Sequence, residues 1–179
     1  MQVVNTFVIK SQKTFSNFML TLNAEFALIR MQQNIMKITN PHITTLKPNE
    51  IFVFGSNLSG MHGAGAARIA MDSFGAKLGV GVGFTGQCYA FPTKDEKIKT
   101  LPLSEIVKFA SDFHDVVRAN PNKMFLLTAV GCGLAGFSPK QMAPLFYELL
   151  DQNVTNISYP IEFVCEALNT GPANFVEIV

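Results

Sequence analysis

The chain has no tryptophan and little charge, with 14 Lys and Arg against 13 Asp and Glu in 179 residues, a net charge of +1. A balance so close to zero makes no field strong enough for DNA, RNA or an anionic membrane to be the main partner, so recognition of an anion has to be local. Cysteine is also scarce. Cys88, Cys132 and Cys165 are odd in number and form no C-x-x-C pair, which argues against a disulfide framework and a zinc site and for a reducing cytoplasm. No uninterrupted apolar run reaches the ~18 residues of a membrane span. The apolar stretch near the N-terminus is broken by Asn17, Asn23, Glu25 and Arg30, which also argues against a secretory signal. The absence of GxxxxGK[ST], GxSxG and HExxH leaves P-loop, α/β-hydrolase and zincin chemistry without support, and nothing signals a metal or an organic cofactor.

What the chain does have is glycine in two informative places. IFVFGSNLSGMHGAGAARIA, from Ile51 to Ala70, runs from an apolar strand through a glycine-rich turn into an alanine-rich helix. Glycines let the backbone come close to a ligand, and the first amides of the helix have no internal acceptor, so that end favours an anion. MFLLTAVGCGLAGFSPKQMAPLF, from Met124 to Phe146, repeats the arrangement with Gly131, Gly133 and Gly136. Two such strand ends in one domain predict a nucleotide diphosphate.

With 48% hydrophobic residues the chain can bury one good core, and one domain is expected. Phe15, Phe18, Met19, Leu22, Phe26 and Ile29 lie at helical spacing within 14–36, and a proline-containing linker follows. Residues 1–35 are therefore expected to be an N-terminal helical extension, and 36–179 the α/β domain. Strands are predicted at 50–55, 87–91, 124–130 and near 155–158, and helices at about 63–74, 104–118 with Ser104 as N-cap, and 160–168. Ser138-Pro139-Lys140-Gln141 combines a capping box with proline at the first helical position and predicts another helix start. Strands alternating with helices point to a three-layer α/β/α fold with a mostly parallel sheet.

Several polar residues sit where ligands of open α/β sheets bind. Asn57 lies just past a strand end, where its amide suits a ribose hydroxyl or, equally, bonds its own turn. His62 at the helix start can touch phosphate or simply sit at the surface, and Arg68 points either inward or to solvent. Cys132 among glycines has the setting of a low-pKa nucleophile, or is merely a small residue beside a ligand. Thr93-Lys94-Asp95 brings a hydroxyl, an ammonium and a carboxylate to another strand end, where Asp95 either activates water or pairs with Lys94. GCGLAG from Gly131 and GVGFTG from Gly81 both match GxGxxG, which shows how little that string means alone. The strand before Ser158-Tyr159-Pro160 ends without the acid a Rossmann domain wants.

In combination and order, these motifs resemble the macro domain, a family that binds ADP-ribose and related nucleotides. The run PHITTLKPNEIFVFGSNLSGMHGAGAARIA is similar to the family's path from GDIT through NAAN to its glycine loop, with Asn57 on the last asparagine and Gly63 to Ala67 on the loop. Ala129 to Phe137 is similar to the second phosphate loop. GSNLSGMHGAGAA, YAFPTKD, LPL and GCGLAGFSP together look like a compact macro-like family of phage and bacterial genomes, whose members often begin near Met36. The resemblance implies a macro-like domain whose ADP-ribose-type ligand meets Gly55, Ser56, Asn57, His62, Gly63, Ala64, Gly65 and Thr93 on one side. On the other side it meets Gly131, Cys132, Gly133, Leu134, Ala135, Gly136 and Phe137. If the protein is an ADP-ribosyl hydrolase, Asn57 and Asp95 are the expected catalytic residues. The alternatives are a non-catalytic sponge for a nucleotide signal and an interaction module that self-associates through the N-terminal helix. His42 stands where the family has its adenine-contacting aspartate, and Gly55-Ser56-Asn57 where it has NAAN, so the resemblance implies the diphosphate rather than a particular base.

Overall fold

A computed structural model describes residues 35–151, 154–170 and 175–178. Seven strands form one sheet: β1 (Ile35–Ile38), β2 (Glu50–Asn57), β3 (Gly83–Thr85), β4 (Cys88–Lys94), β5 (Met124–Leu127), β6 (Ile157–Tyr159) and β7 (Phe175–Ile178), in the order β3-β4-β2-β5-β6-β1-β7. Every pairing is parallel except that of β3, which folds back on β4 as an antiparallel edge hairpin. The helices are α1 (Gly65–Phe74), α2 (Leu103–Ala119), α3 (Pro139–Met142), α4 (Tyr147–Asp151) and α5 (Ile161–Thr170), with a 3₁₀ turn at Ala143–Phe146. The expected α/β fold with a mostly parallel sheet is present. The expected helical extension over 1–35 lies outside the described residues, apart from Ile35, which begins β1.

The β2 run Ile51-Phe52-Val53-Phe54 is buried throughout because both faces of the sheet are covered. Ile51 and Val53 pack in one cluster with Ile106, Ala110, Phe113 and Val117 of α2, and Phe52 and Phe54 in another with Ala67, Ala70 and Phe74 of α1. Phe113 anchors the larger cluster, edge-on to Phe91 and Phe125 at 6.0 and 5.7 Å. Among the described residues no helix is long and apolar enough to cross a membrane.

Element ends depart from expectation for identifiable reasons. α2 begins at Leu103 rather than after Ser104, because the Pro102 carbonyl already accepts from the Glu105 and Ile106 amides, at 3.0 and 3.2 Å. β5 stops at Leu127, not Val130: the Thr128 amide makes the last ladder bond, to the Val53 carbonyl at 3.1 Å, its hydroxyl donates to the same oxygen at 2.8 Å, and the Val130 amide turns back to the Thr128 carbonyl at 2.7 Å. The helix start at Ser138 is as expected, its amide bonded to Gln141 Oε1 at 3.0 Å. Pro144 has no amide to donate, so the helix tightens into the 3₁₀ turn before α4 resumes it. The GVGFTG string forms the β3 edge hairpin and leads into no helix.

The end of β2 is held by a second stretch of backbone crossing it. Gly79 donates to the Gly60 carbonyl at 3.1 Å, and Ser56 Oγ donates to the Gly81 carbonyl at 2.5 Å. A Cβ on Gly81 would overlap the Asn57 and Leu58 carbonyl oxygens, and one on Gly60 the backbone of Gly79 and Val80. Gly81→Ala is therefore expected to lower stability by about 2–3 kcal/mol. Gly63→Ala, with nothing within 4 Å, should change it by less than about 0.5 kcal/mol, the two compared by guanidinium denaturation.

Candidate functional site

The C-terminal ends of β2, β4 and β5 open into a cleft of about 350 Å³. Its floor is close-packed backbone. A Cβ on Gly55 would touch Thr93 Oγ1, Val130 Cα and the Gly131 amide nitrogen, at 3.6–3.8 Å. Beside the floor Thr93 is an extra residue in β4, since Ser56 pairs with Pro92 and Asn57 with Lys94. Such a bulge next to a site re-aims the chain, and here it delivers both Thr93 and Lys94 to the cleft.

One wall is the start of α1. Ala64, its N-cap, has no side chain able to cap, and the amides of Gly65, Ala66 and Ala67 find no acceptor among the described residues. The helix therefore presents free N–H groups and the positive end of its dipole to the cleft. The opposite wall is the 128–135 loop, in which Gly131 has a left-handed φ of +80°. A side chain at Gly131 would strike Met142 Sδ and Cε, both 2.9 Å from where its Cβ would stand. The two glycine segments, distant in sequence, thus face each other across one cavity.

Most hydroxyls and amides at the floor are already engaged. Asn57 Nδ2 donates to the Met61 carbonyl at 2.7 Å, and its Oδ1 accepts from Ser59 Oγ and the Met61 amide at 2.7 and 2.9 Å. Asn57 lines the cleft while closing its own turn. Ser56 bonds Gly81, Thr93 bonds the Ser56 carbonyl at 3.3 Å, and Thr128 bonds Val53. What remains to meet a ligand is backbone N–H and the ammonium of Lys94; among the described residues no carboxylate lines the cleft.

Of the other expected residues, Gly55, Ser56, Gly63, Ala64, Gly65, Thr93, Gly131, Gly133, Leu134 and Ala135 all line the cleft. His62 does not. Its ring is buried edge-on to Phe54 at 5.1 Å, with Nε2 3.1 Å from the Lys77 carbonyl, so Nε2 carries the proton. Asp95 lies outside the lining, its Oδ1 accepting from the Lys97 and Lys99 amides at 2.9 and 2.8 Å to close a turn. Cys132, Gly136 and Phe137 are likewise outside it; Cys132 and Phe137 pack on the larger core. Arg68 faces solvent in an ion pair with Asp72. Lining residues absent from the sequence expectations are Met61, Ile98 and Thr128; Ala66, Ala67, Ala129 and Val130 were expected on the two loops but not as ligand contacts, and Lys94 entered only beside Thr93. The signal for Lys94 was its strand-end position. Ile98 carries none, because its left-handed φ of +64° is not readable from a β-branched residue.

A second compartment of about 510 Å³ meets the cleft at Gly65, Ala66, Thr128 and Ala129, and is lined in part by His42, Ile43, Phe52, Ile69 and Ile161. No family model, no curated protein and no solved structure matches the chain.

Burial first, and the Glu162 carboxylate second, push the Cys132 thiol up to about 11. At pH 8 roughly one part in a thousand is thiolate, the reverse of a nucleophile's setting. Cys88, buried beneath α1, is pushed up to about 12. Iodoacetamide at pH 8 should therefore label exposed Cys165 first and leave Cys132 and Cys88 far behind, read by peptide mass spectrometry.

Proposed function

We propose that the cleft binds ADP-ribose or a closely related nucleoside diphosphate, as the resemblance to macro domains implies. The observation that carries this reading is the facing of the α1 N-terminus and the Gly131–Gly133 loop across one cavity, with Lys94 as the cation on its lining. Free helix amides and a mobile ammonium suit the two charges of a diphosphate. The second compartment continues from the α1 end of the cleft, and His42, at the position where the resemblance expects an adenine contact, lines it. A ligand with a base in that compartment, its diphosphate at the α1 start and a ribose near Asn57 follows the shape of the combined cavity.

The side chains favour binding without turnover. Hydrolysis of an ADP-ribosyl linkage calls for a group to activate water, while Asp95 closes a turn and Asn57 has its amide engaged. A protein that sequesters a nucleotide signal needs only amides and shape. The three free thiols suit the reducing cytoplasm in which such a signal circulates.

The reading is tested with a steric plug. A Cβ on Gly133, which lines the cleft, meets nothing within 4 Å, so Gly133→Val fits the free protein and adds bulk to the lining. Wild-type protein at a hundredfold excess of ADP-ribose over Kd should gain about 2.7 kcal/mol, and the plugged variant should keep its unliganded melting temperature and lose the gain. No shift with ADP-ribose, its cyclic isomers or NAD at millimolar concentration would sink the reading. Should ADP-ribosyl linkages nonetheless be cleaved, turnover is expected to survive Asp95→Ala wherever the fold does, measured by product chromatography.

A further inference from the structure

The mouth of the cleft is made of side chains that water does not favour. Met61, Ile98 and Leu134 come from three separate loops, are 55%, 51% and 71% exposed, and all line the same cavity. Single exposed apolar residues need no explanation, but three converging on the rim of one cleft do.

Their placement is enforced. Ile98 is the sole non-glycine residue with positive φ among the described residues, and a β-branched side chain adopts φ +64° only when its surroundings compel it. The compulsion comes from Asp95, whose carboxylate takes the Lys97 and Lys99 amides while its carbonyl takes the Ile98 amide at 3.1 Å. Thr100 Oγ1 then donates to the Ala135 carbonyl at 3.0 Å and ties this turn to the loop carrying Leu134. The backbone is thus strained, and cross-tied, in a way that holds an isoleucine and a leucine at the cleft's edge. Strain kept at the rim of a cavity motivates a search for what the strained residue meets.

Resting on the reading of the cleft as a nucleoside diphosphate site, we propose that Met61, Ile98 and Leu134 form a collar for a flat, uncharged ring at the ligand's open end. The favoured ligand is then a dinucleotide-like diphosphate with a ring beyond its second ribose, not a molecule ending in a bare sugar. The collar's three side chains are each more than half exposed, so what they touch stays partly in water. A ring suits it, because its apolar faces lie against the side chains while the polar atoms at its edge stay in water. The methionine sulfur adds a polarizable contact to an aromatic face.

The test is methyl NMR on the full chain with labelled Met, Ile and Leu, titrated separately with ADP-ribose, NADH, diadenosine diphosphate and free adenosine. The proposal expects NADH and diadenosine diphosphate to shift the Met61, Ile98 and Leu134 methyls and to bind about tenfold more tightly than ADP-ribose. Ile98→Asn, which tolerates the left-handed turn, combined with Leu134→Ser should bring that ratio down to about two, the ratio being read whatever the two substitutions do to ADP-ribose affinity itself. Dinucleotides that bind with the collar methyls silent, or with a ratio unchanged in the variant, overturn the collar and leave the diphosphate reading standing. If no nucleotide binds but adenosine shifts the collar methyls, the ring site stands and the diphosphate reading fails. If no nucleotide binds and adenosine leaves the collar methyls unmoved, both fail.

Discussion

Two stretches of backbone touch at the end of the central strand, and the site depends on that contact. Where β2 gives way to its loop, the 79–81 segment crosses so close that neither Gly60 nor Gly81 has room for a methyl group. The crossing fixes Ser56 through the Gly81 carbonyl and leaves the turn closed by Asn57 one path, which ends at the uncapped start of α1. A backbone held by backbone has little freedom to relax, since peptide planes are stiff and carry no rotamers. The cleft is in this sense prepared before any ligand arrives.

That preparation also explains why the polar side chains at the floor look unhelpful. Ser56, Asn57, Thr93 and Thr128 direct their hydrogen bonds at neighbouring main chain. Each such bond removes a side chain from the ligand's reach and fixes the peptide groups that remain. Recognition by amides reads charge and shape and is indifferent to most atoms of a ligand, so in the proposed nucleotide site discrimination would fall to the second compartment and the rim.

The parts of this arrangement that were legible in sequence are those with local causes. Ile51 to Phe54 announces a strand covered on both faces because every residue is apolar, and Ser138 to Gln141 announces a helix start because both halves of its cap are adjacent in the chain. Both glycine loops are visible for the same reason. What was hidden depends on direction or distance. Nothing in the letters says that the Asn57 amide turns to Met61, that His62 folds inward against Phe54, or that Asp95 is occupied by the turn it begins. Ser104 resembles a cap until Pro102 is seen supplying the carbonyl. β1 escaped because its partners, β6 and β7, lie more than a hundred residues away and its four residues continue the apolar spacing of the segment before them.

The position of β1 shapes how this protein is made. Although early in the chain, it lies between the two last strands, parallel to both, and Thr39 and Ser158 share a buried hydrogen bond across 119 residues. On the ribosome those partners emerge late, so the native pairings of Ile35–Ile38 cannot form until synthesis is nearly complete. The α/β layers around β2, β4 and β5 draw only on chain that has already emerged, and they are able to form first. The pairing of β1 with β6 and β7 therefore closes loops of more than a hundred residues, the largest chain-entropy cost among the strand pairings described.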